Sequence, residues 1–261
     1  AAALDLAQQR RGLPRVRALS IATGWTVLEA VGLTGSVAIW AAGKADDADT
    51  NYVLQRWWAE RLVQLTGAFG GLRFEVDHLN DLAPGPIVMA PRHASIADSL
   101  VPVWLLAQCD MRPRYVLKRE LLLDPCLDII GNRTPNHFVV RDGDDTAREL
   151  GAITQMAMGM DHRDGAVVYP EGTVANDARR RRALQRIAER DPARAERLTA
   201  LRVMMPTRTA GLWAALEGSP EADLVLVGHV GLEAVSAMAN VPTQVPLRSP
   251  VRVLEIGRAH V

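Results

Sequence analysis

Pro86-Ile87-Val88-Met89-Ala90-Pro91-Arg92-His93-Ala94-Ser95-Ile96-Ala97-Asp98 changes character twice in a short span. The apolar run Pro86–Ala90, closed by a proline that cannot donate to a ladder, reads as a buried strand. A polar turn follows, and Ser95 stands where a helix would take its cap. A strand that hands over to a helix through such a turn is the repeating unit of an α/β fold.

The alternation continues outward from this stretch. Short apolar runs recur at Leu72–Val76, Arg114–Leu117, Phe138–Arg141, Ala166–Tyr169, Arg202–Met205 and Leu224–Val230, with longer helical stretches between them. This predicts a single α/β domain with a largely parallel central sheet flanked by helices on both faces. In such sheets, sites gather where strands end and helices begin.

Two of these strand ends carry reactive groups. His93 precedes Asp98 by five positions. On a regular helix that spacing turns the chain about 500° and leaves the side chains about 140° apart, so His93 belongs to the loop. With Ser95 as cap, Asp98 falls in the first helical turn, where a carboxylate is favoured and can accept from the imidazole Nδ1–H. That bond would fix the tautomer and leave Nε2 as a general base. The alternative is a capping box, Ser95-x-x-Asp98, in which Asp98 serves only the backbone. The second strand end, Ala166–Tyr169, runs into Pro170-Glu171-Gly172-Thr173. There proline stops the ladder and glycine lets the backbone approach a ligand.

Composition narrows the possibilities. The 261 residues are 48% hydrophobic, ample for one core, and 30 acidic residues balance 30 basic ones, which gives no global attraction to nucleic acid. Cys109 and Cys126 have no partners at metal-ligand spacing, as expected of a reducing compartment. His93 and Asp98 likewise lack further ligands, so no metal is implied.

His93-x4-Asp98 followed by Tyr169-Pro170-Glu171-Gly172-Thr173 resembles the glycerophosphate and lysophospholipid acyltransferase family, which includes the 1-acylglycerol-3-phosphate acyltransferases. The likeness runs from about Trp57 to Val230. Lys118, Leu122, Pro125 and Gly131, then Arg141, resemble the family's intermediate block, whose basic residues are associated with the acceptor phosphate. Met205-Pro206-Thr207-Arg208-Thr209-Ala210-Gly211 resembles the Pro-Arg-Thr-x-Gly segment of the branch containing lysocardiolipin acyltransferases. Arg92 departs from the usual asparagine and Tyr169 from the usual phenylalanine, and Leu226-Val227-Gly228-His229-Val230 replaces a proline-bearing last strand.

The resemblance implies transfer of a fatty acyl group from acyl-CoA or acyl carrier protein, as co-substrate and without a cofactor, to a lysophospholipid hydroxyl. His93 would be the base and Asp98 its orienting partner. Lys118 and Arg141 would hold the acceptor phosphate, and Glu171, Gly172 and Thr173 would shape the acceptor site. The acceptor implied first is 1-acylglycerol-3-phosphate, yielding phosphatidic acid. Lysocardiolipin, lysophosphatidylinositol and lyso-aminolipids are the alternatives, as is a catalytically inactive membrane lipid-binding protein.

Residues 1–50 read as a membrane-associated helical segment ahead of an acyltransferase domain at 51–255. Between Ala18 and Gly43 only Glu29 is ionisable, a run longer than the roughly 20 residues that cross a bilayer. Arg10, Arg11, Arg15 and Arg17 precede it and Asp46, Asp47 and Asp49 follow, so a single span would put the domain outside the cytoplasm. That is the wrong side for acyl-CoA. Gly32-Leu33-Thr34-Gly35 therefore suggests two short helices dipping into the cytoplasmic leaflet, with a buried core helix as the alternative. Leu54, Trp57, Trp58, Leu62 and Leu65 mark an amphipathic helix whose tryptophans suit a membrane interface or a core. The arginines between Ala178 and Leu201 suit a solvated helix or anionic headgroups. Residues 256–261 match a translated sequencing adapter and are expected to be a non-native tail.

Overall fold

A computed structural model of the chain describes residues 14–77, 79–140, 145–201 and 204–260. Its strands are β1 (Phe74–Val76), β2 (Ile87–Pro91), β3 (Arg112–Lys118), β4 (His137–Val139), β5 (Asp164–Val167), β6 (Asp223–Val230) and β7 (Val251–His260). Its helices are α1 (Pro14–Ala41), α2 (Ala48–Gly70), α3 (Leu100–Gln108), α4 (Pro125–Arg133), α5 (Thr146–Ala157), α6 (Asp177–Ala188), α7 (Pro192–Thr199), α8 (Ala210–Gly218) and α9 (Val241–Gln244). The strands form one sheet in the order β1-β7-β6-β2-β5-β3-β4, parallel except between β6 and β7. The expected α/β architecture is the one the chain adopts.

β2 shows why. A central strand buried on both faces needs apolar residues at every position, and Ile87, Val88, Met89 and Ala90 are all buried. Successive side chains point to opposite faces. Ile87 and Met89 pack with Leu105 and Leu106 of α3 and with Trp58 and Leu62 of α2. Val88 and Ala90 join Ile153 and Met156 of α5 and Leu212 and Ala215 of α8. Each large side chain so buried contributes about 1.5–3 kcal/mol, which anchors β2 firmly beneath the loop that follows it.

Parallel register aligns the strand ends. Met89 is level with Val167 and with Val225, and Val167 is level with Tyr115. The segments beyond β2, β5 and β3 therefore leave the sheet on one edge, and β6 passes β2 there.

The N-terminal segment corrects one expectation. It is a single helix, α1, not two short ones. Gly32 and Gly35 do not break it because they lie on its packed face. A Cβ on Gly32 would sit 2.7 Å from Cys126 Sγ, and one on Gly35 would sit 3.0 Å from Leu54 Cδ1, so the glycines serve close approach of α4 and α2. Glu29 turns inward. Its Oε1 accepts from Trp25 Nε1 (3.2 Å) and Trp58 Nε1 (3.0 Å), and its Oε2 accepts from the Cys126 N–H (3.1 Å). Trp58 is thus a core residue, while Val16, Leu19, Val27, Val31, Val37 and Trp40 remain exposed along the outer face of α1. By length and composition α1 is able to cross a membrane, weak support for membrane association.

Two further differences concern the second half. Met204 and Met205 are not in a strand, and Arg202 and Val203 lie outside the described residues. The seventh strand is β7, inserted between β1 and β6. Its end pairs with β6, His260 opposite Asp223 and Ala259 opposite Leu224. Ladder bonds use backbone groups that every non-proline residue carries, so this pairing is indifferent to the origin of residues 256–260. The arginine-rich stretch is a hairpin, α6 and α7, parted at Asp191-Pro192, where Asp191 caps α7. Arg180 is consumed by it, donating to the carbonyls of Leu198, Thr199, Leu201 and Met204. Arg181, Arg182, Arg186 and Arg190 stay exposed.

Candidate active site

The loop after β2 is held from several sides. Arg92 N–H donates to Val227 O (2.9 Å), prolonging the β2–β6 pairing by one residue. The next peptide, that of His93, is gripped at both ends. Its N–H donates to Glu171 Oε1 (2.7 Å), and its carbonyl accepts from Ala175 N–H (2.7 Å). Ser95 then starts a 3-10 turn, Ile96–Ser99, that leads into α3. Its hydroxyl accepts from Ala97 N–H and donates to Val235 O (2.7 Å).

Asp98 sits in that turn with no exposed surface. Oδ2 accepts from the Ser95 N–H (2.7 Å) and lies 3.2 Å from His93 Nδ1. The capping box and the His–Asp contact were alternatives in the sequence, yet both are present, on the same oxygen. An oxygen already accepting from a backbone amide can take only a donor at Nδ1, so the arrangement calls for Nδ1–H and leaves Nε2 as the basic nitrogen. The imidazole is 17% exposed, shielded but reachable.

Tyr169 completes the cradle. Its ring packs on that of His93 with centroids 4.7 Å apart, and its hydroxyl donates to the Asp98 carbonyl (3.1 Å). Burial, reinforced by the neighbouring Asp98 charge, holds the phenol's pKa well above its ordinary value, so it stays a donor. Phenylalanine at this position would keep the ring contact and lose the bond.

Glu171 is buried and fully used. Besides His93, it accepts from Met205 N–H at Oε2 (2.7 Å), while Arg208 N–H donates to Pro170 O (2.7 Å). Residues 205–208 therefore dock on the loop after β5. Burial raises the Glu171 carboxyl above its usual range, opposed by those two backbone donors. Gly172 adopts φ +63°, the left-handed conformation that favours glycine, and Thr173 Oγ1 accepts from Arg179 (3.3 Å). The structure thus brings His93, Asp98 and Glu171 together with Gly172 and Thr173 alongside. Lys118 ends β3 on the same sheet edge, two strands from β2, and Arg141 lies outside the described residues.

One group was missed by sequence reasoning. His229, buried in β6, places Nε2 3.3 Å from Asp98 Oδ1 and 3.2 Å from Arg92 O. Arg92 returns the contact, NH1 donating to His229 O (2.7 Å) and to Glu233 Oε1 (2.9 Å). The signal available was a polar side chain in the apolar run Leu224–Val230, since a buried imidazole needs partners.

Three comparisons bear on this geometry. No curated protein sequence matches the chain. The crystal structure of the 1-acyl-sn-glycerophosphate (LPA) acyltransferase PlsC from Thermotoga maritima is similar, with a TM-score of 0.58 over 94% of this chain and 87% of that one. At 12% identity this shows a shared fold. The model of the Acyltransferase family matches residues 73–221, which span β1 through α8 with the His93 loop and the Glu171 loop inside them. More than half of the chain, and the segments that build this cradle, are thus accounted for by one family, and the protein belongs to the acyltransferases.

Proposed function

We propose that the protein transfers a fatty acyl group from an acyl thioester, acyl-CoA or acyl carrier protein, to the free hydroxyl of a lysophospholipid, with 1-acylglycerol-3-phosphate as acceptor and phosphatidic acid as product. The observation that carries this reading is the His93 Nδ1···Asp98 Oδ2 contact at 3.2 Å, with Asp98 buried and His93 partly open. Nε2 takes the acceptor's hydroxyl proton as its oxygen attacks the thioester carbonyl. Asp98 stabilises the imidazolium that forms. As the carbon–sulfur bond breaks, the imidazolium returns the proton to the leaving thiolate, and an ester and a free thiol result.

Glu171 supports the base through the backbone, and Gly172 and Thr173 line the acceptor side. Lys118 and Arg141 supply positive charge for the phosphate, Arg141 with a fork that suits paired oxygens. The membrane side is α1, whose docked inner face and apolar outer face suit a helix lying in the cytoplasmic leaflet. Residues 51–255 form the catalytic unit.

The test uses purified full-length protein, a panel of lysolipids, and radiolabelled oleoyl-CoA, palmitoyl-CoA and acyl carrier protein thioesters. Labelled phosphatidic acid from the lysophosphatidic acid arm is expected. Transfer to no lysolipid, or undiminished transfer by folded His93→Ala, would end the proposal.

A further inference from the structure

We infer that His229 is a positioning residue for Asp98, so that His93 is served by a buried His93–Asp98–His229 array. The inference rests on the general-base role proposed for His93.

The two oxygens of Asp98 are unequally provided for. Oδ2 meets Ser95 N–H and His93 Nδ1. Oδ1 is buried and, among the described residues, has no partner that meets hydrogen-bond geometry. Buried acceptors left in that state are costly, and His229 Nε2 stands 3.3 Å away. Nε2 faces two acceptors, this oxygen and the Arg92 carbonyl at 3.2 Å. A ring nitrogen between two acceptors must carry hydrogen. The N–H meets hydrogen-bond geometry with Arg92 O, while Oδ1, at nearly the same distance, is close enough to compete for it.

The consequence lies in where that donor stands. It contacts the carboxylate on the side away from His93, so it holds Oδ2 toward Nδ1 while sharing the charge that orients the base. The reciprocal bond, Arg92 NH1 to His229 O, ties β6 to the residue preceding the base. His229 therefore acts on His93 from two directions without touching substrate.

The test compares His229→Leu, which keeps volume and loses the donor, with His229→Gln, whose amide N–H reaches the place of Nε2. In steady-state acyl transfer His229→Leu should lower kcat by about tenfold to a hundredfold with acceptor KM little changed, the range for a hydrogen bond to a charged group. Its kcat/KM profile should have the acid limb moved to higher pH, because Asp98 without this donor accepts more strongly from Nδ1–H. His229→Gln should recover most of the rate and return the limb. His93→Ala separates the two claims. Retained activity there refutes the base, whereas an inactive His93→Ala beside a folded His229→Leu with wild-type kcat and an unmoved limb overturns this inference alone. Should the leucine variant fail to fold, side-chain ¹⁵N spectra of the wild type decide. A His229 resonance of the Nε2–H form, assigned by its loss in His229→Gln and shifted in Asp98→Asn, is expected, and the Nδ1–H form overturns the inference.

Discussion

Asp98→Asn preserves shape and removes one charge, and the groups packed around Asp98 set the size of the damage. The amide has two orientations. With its oxygen at the Oδ2 position, Ser95 N–H and His93 Nδ1–H keep their acceptor, but the NH₂ is set 3.3 Å from His229 Nε2, donor against donor. With the NH₂ at the Oδ2 position, it opposes Ser95 N–H at 2.7 Å and forces His93 into the other tautomer. Either way a buried polar group goes unmatched, which costs about 1–3 kcal/mol. At about 2–4 °C per kcal/mol for a chain of this size, Tm should fall by roughly 2–12 °C. The larger effect is on rate. A carboxylate and an imidazolium about 4 Å apart attract by about 4 kcal/mol at an effective dielectric constant near 20, or about three decades in rate. With tautomer loss added, kcat should fall by about 10²–10⁴. The assay is thiol release from the thioester at saturating acceptor, on protein whose folding is checked by circular dichroism. A folded Asp98→Asn enzyme that kept more than about a tenth of the wild-type rate would show that the Asp98 charge does not support the base, because losses of this kind reach decades.

Three further outcomes are expected from other parts of the molecule. Glu171→Gln can offer only one carbonyl to two backbone N–H groups, so it should lower stability by about 1–3 kcal/mol and reduce kcat by loosening the His93 peptide, and an unchanged melting curve with full activity would contradict the bracing role. Cys126, whose thiol burial and the adjacent Glu29 push from 9.0 up to about 12, should carry roughly a thousandfold less thiolate than an ordinary cysteine near pH 8. Its alkylation should keep rising with pH beyond 9 and be greatly accelerated by Gly32→Val, which pushes α1 off α4. Mass-mapped iodoacetamide kinetics test both. Asp164, buried between Arg112 Nε (2.9 Å) and Arg114 NH2 (2.7 Å) at the far end of β5, should cost about 3–5 kcal/mol as Asn while leaving KM at low temperature unchanged, read by melts and kinetics together.

The sheet was legible because β2 announces itself. Its unbroken apolar run and closing proline match a strand buried on both faces, whereas the His93–Asp98 spacing alone suited a capping box as well, and it was the resemblance carried by the two motifs together that favoured the pair. What stayed hidden depends on partners distant in sequence. Gly32 and Gly35 read as a break because the Cys126 and Leu54 side chains that nest against them come from other helices. β7 alternates buried Val251 and Val253 with exposed Arg252 and Leu254, a short signal that comes after a long connection and is completed only by β1 and β6 on either side. His229 was visible as an odd residue in a strand, but its meaning required knowing that β6 lies beside β2. Arg180 looked like its exposed neighbours until the chain turned at Asp191-Pro192 and gave it carbonyls to cap.

The strand order carries a consequence for how the molecule is made. β2 emerges from the ribosome before its neighbours in the sheet, β5 and β6, and the Arg92–His229 contact spans 137 residues. Pairing at such separations is slow, because loop closure must be completed before the contacts that reward it. A nascent chain halted before Asp223 has α1 and α2 available to associate but no β6 to pair with β2, so its histidine loop is unsupported on one side. The histidine loop is therefore completed only after β6 has been made, by which point the apolar helix α1 has had the opportunity to find a lipid surface. Until β6 arrives, the unpaired edge of β2 is the place where a chaperone, or another copy of the chain, would bind.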